Sequence, residues 1–130
     1  MTLSFAVLTT ALLFGGMTLY SFGFAGFLFT ALPADVAGST LRRAFPMFYL
    51  FVMATAVLAA ALLWSHDSFA AGLMALVALT TLPSRQLLMP AINAATDSGQ
   101  RGRFKWLHSL SVVITLAHIA AAGYVLVRLV

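Results

Sequence analysis

The chain has 130 residues, of which 62% are hydrophobic and 8% charged, and its mean hydropathy is +1.03. A soluble domain of that size must wet most of its surface and cannot be so apolar, so lipid is the expected solvent. Seven Lys and Arg against three acidic residues give a net charge of +4, and there is no cysteine. That excludes disulfides, thiolate metal sites and cysteine nucleophiles, and in a membrane protein the basic excess bears on topology and anionic headgroups rather than on nucleic acid.

One crossing needs about 20 mostly apolar residues. Residues 1–34 carry no charge, and the apolar run from Leu3 to Leu32 is too long for the core of a secretory signal, with nothing basic before it. It is expected to remain in the mature protein as a first span. Charge, Pro and Gly then gather at Pro33 to Thr40, Ser65 to Ser68 and Thr96 to Arg103. These breaks predict spans over 3–32, 41–64, 69–94 and 104–129 in a single domain covering residues 1–130. The fold class is an all-α integral membrane protein, a four-transmembrane-helix bundle. The third span carries Pro83, Pro90 and the polar run Ser84-Arg85-Gln86, so it is expected to cross by about Pro83 and to continue as a kinked or interfacial segment.

With four spans the first and third loops share a side. That side holds Arg42, Arg43, Arg101, Arg103 and Lys105, with Arg85 close to it, whereas the other has only Arg128 beside His66 and Asp67. The positive-inside rule places the basic loops in the cytoplasm and both termini outside, as a multi-pass protein of a bacterial inner (cytoplasmic) membrane.

In the first span Thr9, Gly16, Gly23 and Thr30 recur every seven residues, with Gly26 beside them, and predict a face for close helix packing. In the fourth, His108, Ser111, Thr115 and His118 fall within an arc of about 80°. Polar residues in a membrane helix turn toward the bundle interior or a wet cavity, so this stripe is expected to point inward. It serves either interhelical hydrogen bonding or a proton, metal or ligand site. No carboxylate lies inside a span, so Arg85 is left to snorkel, to reach Asp35, or to hold an anionic headgroup or ligand with Arg42, Arg43 and Asn93 near its level.

Haem or metal binding would draw on His108 and His118, but these share one helix about 15 Å apart and cannot ligate one iron from opposite sides. His66 with His118, or one of six methionines, would have to complete such a site. No nucleophile–base–acid set, phosphate-cradling glycine loop or metalloprotease helix is present. The expected protein is therefore non-enzymatic, without a resident cofactor or metal. It is an accessory subunit of a larger membrane complex, or a homo-oligomer, or a factor handling small solutes or metal. A haem- or metal-linked redox protein and an anionic lipid or ligand binder at Arg85 are the alternatives.

The order of several motifs is familiar. Gly15-Gly16, Phe29-Thr30-Ala31-Leu32-Pro33, Ala37-Gly38, and Arg43-Ala44-Phe45-Pro46 with Tyr49 are followed by Met89-Pro90-Ala91-Ile92-Asn93, Phe104, Leu107-His108 and Ser111. Together they resemble the bacterial family called domain of unknown function 4149, akin to the eukaryotic transmembrane protein 205. The resemblance implies a compact four-span membrane protein without an established biochemical activity. Its eukaryotic relatives are associated with resistance to platinum drugs, which points to export or trafficking. The family's polar positions match Arg43, Pro46, Asn93, His108 and Ser111; an Asn commonly follows one turn after the serine, where this chain has Thr115.

Overall fold

The structure is a computed structural model that describes residues 1–130. It is all-helical, with α1 at Thr2–Ala31, α2 at Ala34–Leu63, α3 at Ser68–Asp97 and α4 at Arg101–Leu129. All four are long and apolar enough to cross a membrane. At about 1.5 Å per residue each is about 45 Å long, so each projects beyond a hydrocarbon core of about 30 Å at both ends. Consecutive helices run antiparallel, α1 packs on α2 and α4, and α3 packs on the same two, closing a four-membered ring.

The first and third connections are shorter than the breaks read from sequence. Only Leu32 and Pro33 separate α1 from α2: Leu32 is extended, as a residue before proline prefers, and Pro33 caps the next helix. The stretch Pro33 to Thr40, taken as a break, is already the first turns of α2. Asp35 sits where the helix N-terminus favours negative charge, and the Ser39 and Thr40 hydroxyls donate to the Val36 carbonyl instead of unwinding the chain. Before α3 the Asp67 carboxylate caps the helix by accepting from the Ala70 amide at 3.1 Å. Between α3 and α4, Gly99 takes φ +67°, and the Gln100 amide reaches back to the Ala95 carbonyl at 2.9 Å. That turn needs the left-handed backbone glycine tolerates.

Past Pro83 the third span continues as helix: α3 runs on to Asp97 through a π turn over Ser84–Leu88 and a further α segment with Pro90 in its first turn. In lipid every backbone polar group must be satisfied within the protein, and an adjusted helix achieves this where an unwound one does not.

Two exposed ion pairs brace the ends. Arg42 meets Asp97 with two parallel bonds of 2.8 Å, tying the start of α2 to the end of α3. Arg128 meets Asp67, tying the end of α4 to the start of α3, and its guanidinium holds the Asp67 carboxyl below the ordinary carboxylate range.

The core combines small and medium residues, among them Ala6, Leu13 and Met17 on α1, Val52, Ala56 and Ala59 on α2, Ala70, Ala71 and Met74 on α3, and Ala122 and Val125 on α4, with the aromatic Phe48 and Tyr49 of α2. The predicted packing face of α1 is only partly realised. Its buried line is Ala6, Thr10, Leu13 and Met17, and only Gly16 of the seven-residue series abuts another helix closely, against Phe51 of α2. Thr9 is half-buried, while Gly23, Gly26 and Thr30 are exposed. A π turn at Leu19–Phe24 adds a residue to the register and carries the later members off the face.

A methyl at Gly16 would fall 2.7 Å from the Phe51 ring, whereas one at Gly15 meets nothing. Gly16→Leu is expected to destabilise the bundle by about 1–3 kcal/mol through overpacking, with Gly15→Leu near neutral, in thermal unfolding in mild detergent. Equal melting temperatures for the two variants would contradict the contact.

Candidate functional site

Three helices lose their regularity at one level of the bundle. α1 makes its π turn at Leu19–Phe24, α2 carries Pro46 in its interior, and α3 makes its π turn at Ser84–Leu88. Counted from the basic end, where α1 and α3 finish and α2 and α4 begin, these features lie about 10–20 Å deep. Each disturbs the backbone ladder: Pro46 removes an amide and a π turn stretches the i→i−4 pattern.

Polar side chains gather around the same level. Tyr49 of α2 lies 3.5 Å, hydroxyl to hydroxyl, from Ser111 of α4, a contact across the ring between helices that are not neighbours. Tyr20 of α1 stacks on Phe48 at 4.5 Å between centroids and meets Phe45 edge-on at 5.5 Å. The Tyr20 and Ser21 hydroxyls are buried without a hydrogen-bond partner. Most hydroxyls in these helices satisfy themselves on a carbonyl three or four residues back, as Thr10, Thr55, Thr81 and Ser84 do. Ser21, inside the π turn, does not. One turn farther from the basic end, His118 Nε2 of α4 lies 2.7 Å from Thr80 Oγ1 of α3.

Arg85 lies in the π turn of α3, half-buried against α2. Its Nε donates to the Pro46 carbonyl at 3.3 Å and its Nη1 to Gln86 Oε1 at 3.2 Å. Both partners are neutral. Of the three acidic residues, Asp97 is held by Arg42 and Asp67 by Arg128, and Asp35 is eleven residues before Pro46 on α2 and makes no ion pair. The protein thus presents a cation well inside a span with no carboxylate on it.

The residues singled out from sequence are divided by the fold. Ser111 and His118 do turn toward neighbouring helices, and Thr115 between them is half-buried. His108 does not: it is exposed and stacked on Phe104 at 5.4 Å, although Phe104, Leu107 and Ser111 of the same stretch are half-buried. The proposed basic group also comes apart. Arg42 is engaged by Asp97, Arg43 is exposed and unpaired, and Asn93 is half-buried eight residues beyond Arg85, about 12 Å along the helix. Arg85 does not reach Asp35.

Nor are the histidines gathered: His66 is exposed in the turn before α3, and no group of three or more metal-ligating residues forms. Tyr49, Thr80, Tyr20 and Ser21 were not picked out from sequence as partners at this level. The usable signal was depth, since each lies about as far from a helix end as the residue or feature it accompanies.

The fold and this level define a four-helix membrane protein with one deformed, polar stratum containing an unpaired arginine. The chain belongs to the family described as Domain of unknown function (DUF4149), whose sequence profile matches residues 8–101. The match takes in α1 to α3, with Pro46, both π turns and Arg85, and stops at the first residue of α4, short of His108, Ser111 and His118. No curated protein and no solved structure matches the chain.

Proposed function

We propose that this is a non-enzymatic membrane protein that binds a phosphate-bearing anion at Arg85, between α2 and α3. The observation that carries the reading is the guanidinium of Arg85, about 18 Å from the end of its helix, with only a carbonyl and an amide oxygen on it. A charged side chain near mid-span costs about 2.5–3.5 kcal/mol on insertion scales, and such residues mark sites with a specific partner. A planar guanidinium with free donors suits the oxygens of a phosphate. The Nη2 group has no protein partner, while Nε is held on the Pro46 carbonyl. The ligand is a phospholipid headgroup drawn into the α2–α3 seam or free phosphate, which share this chemistry.

The accompanying topology is that of a bacterial cytoplasmic membrane, with the basic end in the cytoplasm and both termini outside. The concentration of Arg42, Arg43, Arg101, Arg103 and Lys105 at one end of the bundle supports it. A role as an accessory subunit is compatible with the same site, since a headgroup held in the seam would also order a neighbouring helix.

Native mass spectrometry of protein extracted in mild detergent tests the ligand. The wild type is expected to carry an adduct that Arg85→Ala loses and Arg85→Lys keeps in part. A phospholipid mass identifies the headgroup and a phosphate mass the free ion; identical spectra from wild type and Arg85→Ala contradict the site. The topology is tested separately, because the chain lacks cysteine. A membrane-impermeant thiol reagent is expected to label Thr2→Cys in intact cells and Gly99→Cys only after lysis, and the opposite pattern reverses the orientation.

A further inference from the structure

The outer face of α4 at the basic end carries a shallow open groove of about 440 Å³, lined by Gly102, Lys105, Trp106, Ser109, Leu110 and Val113. We propose that this groove is a binding site for an anionic phospholipid of the leaflet on the basic side. The argument rests on the order of the side chains along the helix. Arg101 and Lys105 lie four residues apart and share a face. Next comes Trp106, 68% exposed, then the Ser109 hydroxyl, and beyond it the exposed apolar Leu110 and Val113.

Depth agrees with that order. The 29 residues of α4 exceed the hydrocarbon core by a few residues at each end. Arg101 and Lys105 therefore lie at the headgroup level, Trp106 at the interfacial belt where amphipathic rings settle, and Leu110 and Val113 among the acyl chains. The succession of cation, indole, hydroxyl and hydrocarbon follows a phospholipid from phosphate to tail. The charge selects its class. No acidic residue lies on this stretch of α4, and Asp97, at the adjoining end of α3, is engaged by Arg42. Lys105 and Arg101 are exposed and unpaired, and small side chains at Gly102 and Ser109 leave room beside them. This site is separate from Arg85, which faces α2 on another helix.

The two tryptophans make the test direct, because Trp64 lies at the opposite end of the bundle. In a Trp64→Phe background, Trp106 is the sole indole. Phosphatidylcholine vesicles containing a minor fraction of brominated phosphatidylglycerol should quench it more than vesicles with as much brominated phosphatidylcholine. With about fivefold enrichment expected for each basic residue near the surface, Arg101→Ala and Lys105→Ala should each reduce the preference about fivefold, and the pair should abolish it. Quenching by brominated phosphatidylcholine, retained in the variants, shows that they remain inserted. Trp106→Phe, which leaves Trp64 alone, should show no preference. Equal quenching by the two lipids at Trp106, a preference that survives the double replacement, or the same preference at Trp64 would each overturn the site. Arg85 is untouched in every variant, so loss of the phosphate adduct in Arg85→Ala is read independently.

Discussion

Lipid offers the backbone no hydrogen-bonding solvent, and the architecture follows from that constraint. Each span must keep its amides and carbonyls paired within itself, which is why four helices of about 30 residues account for nearly the whole chain. Departures from regular helix are costly in this solvent, so their placement is informative. Here they are confined to one stratum, where Pro46 and two π turns meet. A side chain joins the backbone here as well, where the Arg85 Nε donates to the Pro46 carbonyl. π turns are often found at functional sites, and the hydroxyls left unpaired in α1 belong to the same level as the arginine left uncompensated in α3.

Charge is distributed with similar economy. Two of three carboxylates are consumed in pairs that join helix ends. Both pairs are exposed, so they orient the helices more than they stabilise them. Their consequence for Arg85 is indirect: each leaves one fewer counter-ion within reach of the span. An arginine at that depth with only neutral oxygens on it is the feature from which the proposed anion site follows. The aromatic group of Tyr20, Phe45, Phe48 and Tyr49 packs α1 on α2 at this level.

The number of spans and the sharing of ends by the loops were legible in the sequence, because apolar length and the positions of seven basic residues decide them. The helix ends were less so. Gly38, Ser39 and Thr40 read as a break, but hydroxyls that bond back to Val36 are at home inside a helix. A continuation past Pro83 was legible, but its form, a π turn over Ser84–Leu88 within one long helix, was not. In the site, the phase of α4 gave Ser111 and His118 an inward direction. It could not name Tyr49 or Thr80 as their partners, 62 and 38 residues away. His108 shares that phase but is exposed and stacks on Phe104 instead of a neighbouring helix. Arg42 and Arg85 were grouped by depth alone, and the fold separated them by giving Asp97 to the first.

Magic-angle-spinning NMR of the protein in its native lipids, with guanidino-labelled arginine and phosphorus dephasing, addresses the central claim most directly. The Arg85 resonance, assigned by its disappearance in Arg85→Lys, is expected to be dephased strongly by a nearby phosphorus. An Arg85 signal with no phosphorus coupling, in a preparation where headgroup-level arginines do show it, would contradict the account.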